Sequence, residues 1–95
     1  MSNFRITGRW AMTGREFLVT LGETRHDCKE RLTESLKAYS GDDVQAICQL
    51  RLERWEPADD AATGQWLPLT TIPMRGVRYR KAAVSWQRQT LEPAG

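Results

Sequence analysis

The sequence predicts an α+β domain with the element order β-β-α-β-β-β, in which one helix packs on a mostly antiparallel sheet. Three observations lead to this prediction. Apolar and polar residues alternate in two segments near the N-terminus, as they do in half-buried strands. The next segment repeats apolar residues at helical spacing. Further alternating segments then follow, two of them separated by a loop rich in turn-forming residues.

The length and composition fit one small domain. The 95 residues are 40% hydrophobic and 27% charged, which is enough for one core and leaves little room for a second domain. We assign residues 1–91 to this domain and residues 92–95 to a loose tail. The sequence has no apolar leader segment and no run near the roughly 18 apolar residues of a membrane span. With two isolated cysteines and no disulfide framework, the expected compartment is the reducing cytoplasm.

Residues 3–10 and 15–22 predict the first hairpin. Gly14 lies in the turn, because glycine adopts positive φ at no steric cost. A loop of two or of four residues keeps both apolar sets on one face, and the four-residue version places Phe17 opposite Gly8. The apolar face is expected to contain Phe4, Ile6, Trp10, Phe17, Val19 and Leu21.

Residues 25–39 predict the helix. Thr24 is the expected N-cap, because its hydroxyl can accept a hydrogen bond from the amide of Asp27. Gly41 supplies a stop after the helix. The apolar stripe is narrow, so the helix covers one face of a sheet rather than the centre of a bundle. The stripe consists of Cys28, Leu32, Leu36 and Tyr39.

Residues 44–55 and 65–72 predict a second hairpin. Pro68 and Pro73 cannot donate to a ladder, so the second strand should be an edge strand or bulged. If Trp55 pairs with Trp66, the same register places Leu52 opposite Leu69 on the core face and Arg51 opposite Thr70 on the other face. The core face of the first strand is expected to contain Val44, Ala46, Cys48, Leu50 and Leu52.

Residues 74–91 allow two interpretations. Val77 and Tyr79 alternate with Arg78 and Arg80, and the apolar pattern then shifts at Ala82. We favour a fifth strand with a bulge near residues 81–82, and the alternative is a helical turn that begins at Ala82. The overall order is similar to that of β-grasp proteins, which is an analogy of fold and implies no function.

Catalytic chemistry is not favoured, and we expect no enzyme, cofactor, metal or small-molecule substrate. His26 and Cys28 are two residues apart on a helix, so their side chains do not converge, and their spacing fits no common zinc site. The helix–sheet interface can bring Cys28 and Cys48 to face each other, and we interpret them as two small buried apolar side chains rather than as a redox pair. Acidic pairs at 42–43 and 59–60 fall in turns. Neither of the common glycine-rich phosphate-binding motifs occurs.

The first functional hypothesis is a protein-binding module. If the helix covers the leucine face of the second hairpin, its two tryptophans remain on the opposite face. Tryptophan and arginine are enriched at interface hot spots. The expected site is this face or an exposed strand edge, and a homodimer through the same surface is a variant. The alternative is an aromatic pair that only stabilises the sheet, or a second small core beneath the C-terminal segment. The residues of the expected site are Trp55, Trp66, Arg51 and Arg54, with Ile47 beside them.

The second hypothesis is a nucleic-acid-binding module. The net charge of +2 is small, but residues 61–91 contain five basic residues and no acidic one. On a strand, Arg78 and Arg80 would lie on one face about 7 Å apart, which is close to one phosphate spacing. They would equally suit the solvent face of a structural strand. The expected site contains Arg75, Arg78, Tyr79, Arg80, Lys81, Trp86 and Arg88, with an aromatic ring that stacks on a base.

Overall fold

The computed structural model describes residues 3–58 and 63–78 as one antiparallel sheet with helical segments packed on one side. The elements are β1 (Phe4–Trp10), β2 (Glu16–Gly22), α1 (Arg25–Ala38), α2 (Gly41–Ala46), β3 (Ile47–Glu56) and β4 (Gln65–Ile72). Residues 74–78 are also helical. The strand order is β2-β1-β3-β4, which confirms the α+β class. Among the described residues, no helix has the length and apolar character needed to cross a membrane.

The first hairpin has the register predicted for a four-residue loop. Phe17 lies opposite Gly8, and Gly14 has a φ of 70° in the turn. The Phe17 ring covers Gly8 closely, since a Cβ atom at position 8 would lie 2.5 Å from Phe17 Cζ. The same ring stacks on Trp10 with 4.2 Å between centroids. Glycine at position 8 therefore makes room for an aromatic ring on the core side.

A bulge in β2 changes the predicted faces of this strand. Thr20 pairs with Ile6 and Leu18 pairs with Thr7, so Val19 is the extra residue. A bulge shifts the register by one residue and exchanges the two faces beyond it. The prediction that Leu21 lies in the core is therefore wrong. Leu21 is 37% exposed on the face of the sheet that points away from α1, which we call the outer face.

The helix α1 has the predicted start and the predicted apolar stripe. The Thr24 hydroxyl accepts a hydrogen bond from the Asp27 amide at 3.1 Å. Cys28, Leu32 and Leu36 are buried, and α1 packs on β2 and β1. The stripe therefore forms one side of the core, and the sheet forms the other.

A second helix, α2, replaces the first three residues of the predicted strand over 44–55. The Ser40 hydroxyl caps it by accepting from the Asp43 amide at 3.0 Å. Asp42 and Asp43 lie in its first turn, where carboxylates interact favourably with the helix dipole. Val44 is buried as predicted, but it reaches the core from a helix. The acidic pair is therefore part of a helix and not a turn before a strand.

A bulge at the start of β3 reverses the predicted orientation of Ile47 and Cys48. Arg9 pairs with Gln49 and Trp10 pairs with Ile47, so Cys48 has no partner in the ladder. Ile47 is 1% exposed, whereas Cys48 is exposed. The prediction of a buried side chain is therefore wrong for Cys48 and confirmed for Cys28, the two do not face each other in the interior, and both are free thiols.

The second hairpin confirms the tryptophan pairing and corrects the register beyond it. Trp55 lies opposite Trp66, but Leu52 lies opposite Thr70, and Arg51 lies opposite Thr71. The shift occurs between Leu52 and Glu53, where Pro68 pairs with Glu53 and Leu69 becomes the extra residue. The expectation of an edge strand or a bulge is confirmed, because β4 is bulged at Leu69 and lies at the edge of the sheet that the described residues form.

The prediction of a fifth strand over residues 74–91 is wrong for residues 74–78, which are helical. Val77 and Arg78 lie in the helical residues 74–78, where the Val77 amide donates to the Pro73 carbonyl at 3.3 Å. Val77 is 1% exposed and belongs to the core, and Met74 packs against it. The rest of the expected strand, its bulge near 81–82, the tail 92–95 and the acidic pair 59–60 lie outside the described residues.

Candidate functional site

The outer face carries charged, aromatic and aliphatic side chains from all four strands. Side chains at every second position of a regular strand share a face, so Arg5 and Arg9 lie on the same face of β1, with Thr7 between them. The register places Glu53 opposite Arg5 and places Arg51 opposite Thr7. The members of this face are Arg5, Thr7, Arg9, Glu16, Leu18, Leu21, Gln49, Arg51, Glu53, Trp55, Trp66, Pro68 and Thr71.

Glu53 is the buried centre of this surface. It is 4% exposed, although the described helices lie on the opposite side of the sheet. Arg5 Nε donates to Glu53 Oε1 at 2.6 Å, and Arg51 Nη2 lies 3.7 Å from Glu53 Oε2. A buried carboxylate requires such partners, because an unpaired charge away from water is strongly destabilising. Glu53 therefore holds two arginines in place.

Glu16 connects the edge of the sheet to the same cluster. Its Oε1 atom accepts from Arg9 Nη2 at 3.0 Å and from Arg51 Nη2 at 2.6 Å. The hydrogen bond from Arg9 and the charge of Arg51 lower the pKa of Glu16 below its usual range. The carboxylate thus reaches from β2 over β1 towards β3, and it is ionised at neutral pH.

The two tryptophans form the aromatic corner of the outer face. Their ring centroids are 5.3 Å apart at an interplanar angle of 65°, an edge-to-face contact. The guanidinium carbon of Arg5 lies 4.4 Å from the Trp66 ring centroid, which is a cation–π geometry. The Trp55 ring lies against Gly64, where a Cβ atom would clash with it. Both rings are half-buried, so the cluster is ordered and still partly open to solvent.

The structure brings together three of the four residues predicted for protein binding. Arg51, Trp55 and Trp66 all lie on the outer face. Arg54 does not join them, because alternation along β3 turns it to the other side, where it pairs with Glu56 at 2.8 Å. Ile47 does not frame the tryptophans either, since it is buried in the core.

The residues predicted for nucleic-acid binding are only partly described. Arg75 and Arg78 are exposed and lie in the helical residues 74–78. The phosphate match assumed that Arg78 and Arg80 lie on a strand, and this assumption is wrong at Arg78. The other members of the set lie outside the described residues: Tyr79, Arg80, Lys81, Trp86 and Arg88.

In the sheet formed by residues 3–58 and 63–78, the two edges are poor templates for an added strand. The edge strand β4 contains Pro68 and a bulge at Leu69, and the edge strand β2 contains a bulge at Val19. Arg31 Nη1 also donates to the Leu21 carbonyl of β2 at 2.9 Å. Prolines, bulges and charged groups at an edge discourage pairing with another chain. Both described edges are therefore poorly suited to strand addition.

His26 and Cys28 both lie on α1, away from the outer face. His26 is exposed and contacts Glu30, with 3.0 Å between Nε2 and Oε1. Cys28 is buried in the core, and burial raises the pKa of its thiol. Within residues 3–58 and 63–78, no three His, Cys, Asp or Glu side chains are grouped so that they could hold a metal ion.

No family model, curated protein or solved structure matches this chain. The surface described above is therefore the basis for inferring a function.

Proposed function

We propose that this protein is a non-catalytic module that binds another protein through the outer face of its sheet. The observation that carries the proposal is the arrangement of Arg5, stacked on Trp66 and fixed by the buried Glu53. Arginine and tryptophan contribute strongly to interfaces when they are fully desolvated on binding. Their fixed positions reduce the entropy lost when a partner binds.

The charges of the outer face favour a protein partner over nucleic acid. Arg5, Arg9 and Arg51 share the carboxylates of Glu16 and Glu53, which leaves a net charge of only +1 for the cluster. Nucleic-acid binding depends on cations that neutralise several phosphates. Two aliphatic side chains, Leu18 at 52% and Leu21 at 37% exposure, lie on the same face and suit a protein surface.

The proposed setting is a reducing compartment, the cytoplasm. Cys28 and Cys48 are free thiols, and Cys48 is exposed. Oxidising compartments favour disulfides in small domains. The partner is either a different protein or a second copy of this chain.

The substitution Trp66→Ala tests the proposal. It removes the ring on which Arg5 stacks, and a hot-spot truncation of this kind costs about 2 kcal/mol or more, roughly a 30-fold weaker complex. We expect the variant to lose capture of the partner that the wild-type chain retains from a nuclease-treated lysate of the host. Circular dichroism and the melting temperature establish that the variant is folded.

Lys29→Ala is the matched control, because Lys29 is exposed on α1, away from the outer face. It should capture the same partner as the wild-type chain. If a folded Trp66→Ala variant captures the partner at the wild-type level, the outer face is not the binding surface. If capture disappears after nuclease treatment of the wild-type sample, the ligand is nucleic acid and the proposal is wrong.

A further inference from the structure

Glu16 occupies a place between two arginines that suits the carboxylate of another chain. Its Oε1 atom accepts from both Arg9 and Arg51, so a single oxygen bridges β1 and β3. We propose that the outer face binds an acidic segment of a partner protein, and that Glu16 is an internal competitor for this segment. This inference rests on the proposed function, since it specifies the chemistry of the partner at the same surface.

The two carboxylates of the cluster differ in how readily they can be replaced. The Glu53 side chain is 5% exposed and lies in the middle of the sheet. The Glu16 side chain is 46% exposed and comes from the edge strand β2. An exposed ion pair contributes little to stability, so a carboxylate from another molecule can easily take the place of its own carboxylate. Glu53 is therefore a fixed part of the surface, whereas Glu16 can be displaced.

Arg9 has a donor that Glu16 leaves unused. Arg9 Nε is buried and has no hydrogen-bond partner, while its Nη2 atom donates to Glu16. Guanidinium groups bind carboxylates best in a bidentate arrangement, with two parallel N–H···O bonds. The present contact thus satisfies Arg9 only in part.

Displacement of Glu16 would also raise the positive charge of the site. Arg5, Arg9 and Arg51 would then face Glu53 alone, and the net charge of the cluster would rise from +1 to +2. Leu18 lies beside this cluster on β2 and offers an apolar contact. The ligand that fits is a protein segment in which carboxylates alternate with other side chains, because an extended segment presents every second residue to one face.

The substitution Glu16→Gln tests the inference directly. The probe is a fluorescein-labelled nonapeptide with glutamate at alternate positions and serine between them, titrated at low ionic strength. An internal competitor reduces the apparent affinity to the intrinsic affinity multiplied by the fraction of time that the site is free. Because exposed ion pairs hold Glu16 in place only weakly, we expect Glu16→Gln to bind this peptide about 3- to 5-fold more tightly than the wild-type chain. Adding Arg51→Gln to this variant should remove the gain.

Glu34→Gln is the matched control. It makes the same change in net charge and also breaks an exposed pair, that of Glu34 with Lys37, but it lies on α1. It should bind the peptide as the wild-type chain does. Equal affinities of Glu16→Gln and Glu34→Gln would overturn the inference, provided that melting curves show both variants folded.

Two further probes separate specific binding from general attraction. A nonapeptide with glutamine in place of glutamate should bind Glu16→Gln no more tightly than it binds the wild-type chain. If Glu16→Gln increases the affinity for a single-stranded oligonucleotide as much as the affinity for the acidic peptide, the site attracts anions in general and the inference is overturned. If capture depends on Trp66 but Glu16→Gln gives no gain, the protein-binding function stands and only the acidic nature of the partner is wrong.

Discussion

Replacing Leu32 with alanine is expected to lower the free energy of unfolding by about 2–5 kcal/mol. Leu32 is 1% exposed and lies in the middle of the apolar stripe of α1, between Cys28 and Leu36. The helix packs on β2 and β1, so truncation at this point leaves a cavity between the helix and the sheet. Urea unfolding followed by circular dichroism measures the loss.

Leu18→Ala is the control for this experiment. It removes the same atoms from a leucine that is 52% exposed on the outer face. Its effect should stay within about 0.5 kcal/mol, as for most surface substitutions. Comparable losses for the two variants would mean that the outer face is buried as deeply as the core, and the one-sided architecture would be wrong.

Gly22→Ala is expected to destabilise the protein by about 1–3 kcal/mol, because it overpacks the contact between β2 and α1. A Cβ atom at position 22 would lie 2.9 Å from the backbone nitrogen of Cys28 and 2.9 Å from its Sγ atom. The backbone of the helix cannot move aside without disturbing the packing of the stripe. The melting temperature and the urea midpoint should both fall.

Gly41→Ala is the matched variant at a glycine without such a neighbour. Apart from the neighbouring residues and the backbone of α2 itself, no atom lies within 4 Å of the position that its Cβ would take, and its φ is not positive. Since alanine restricts the unfolded chain more than glycine does, this variant should be neutral or more stable by about 0.4–1 kcal/mol. A loss at position 41 as large as the loss at position 22 would contradict the close approach of α1 to β2.

The elements that could be predicted are those with local signals. The period of two in β1 and the spacing of Cys28, Leu32 and Leu36 both follow from the geometry of a single segment. The cap at Thr24 lies within one turn of the residue that it satisfies. The short helix α2 had a comparable signal in Ser40 followed by two aspartates, but the alternation that continues through residues 44–46 masked it.

The bulges at Val19 and Cys48 could not be predicted, and they reverse the predicted orientation of several side chains. Alternation remains intact along each segment, while a bulge depends on how two strands are paired. The bulge at Val19 moves Leu21 to the outer face, and the one at Cys48 exposes that thiol. Only Pro68 gave a local warning, because it cannot donate to the ladder.

The candidate site was predicted in part for the same reason. Trp55 and Trp66 meet across a hairpin, so local register was enough to pair them. The contact between Arg5 and Glu53 joins residues 48 apart in sequence, and it depends on β1 lying beside β3. The opposite charges of Arg5 and Glu53 in two alternating strands were a signal, but it becomes specific only when the strand order is known.

The central claim is that the outer face, rather than the helical side, meets a protein partner. Photocrosslinking tests it most directly, with p-benzoylphenylalanine placed at position 18 on the outer face or at position 29 on α1. Leu18 and Lys29 are both exposed, so both positions tolerate the probe. In host lysate, position 18 should form covalent adducts that protease removes and nuclease does not, and position 29 should form none. Adducts from position 29 with none from position 18 would contradict the claim.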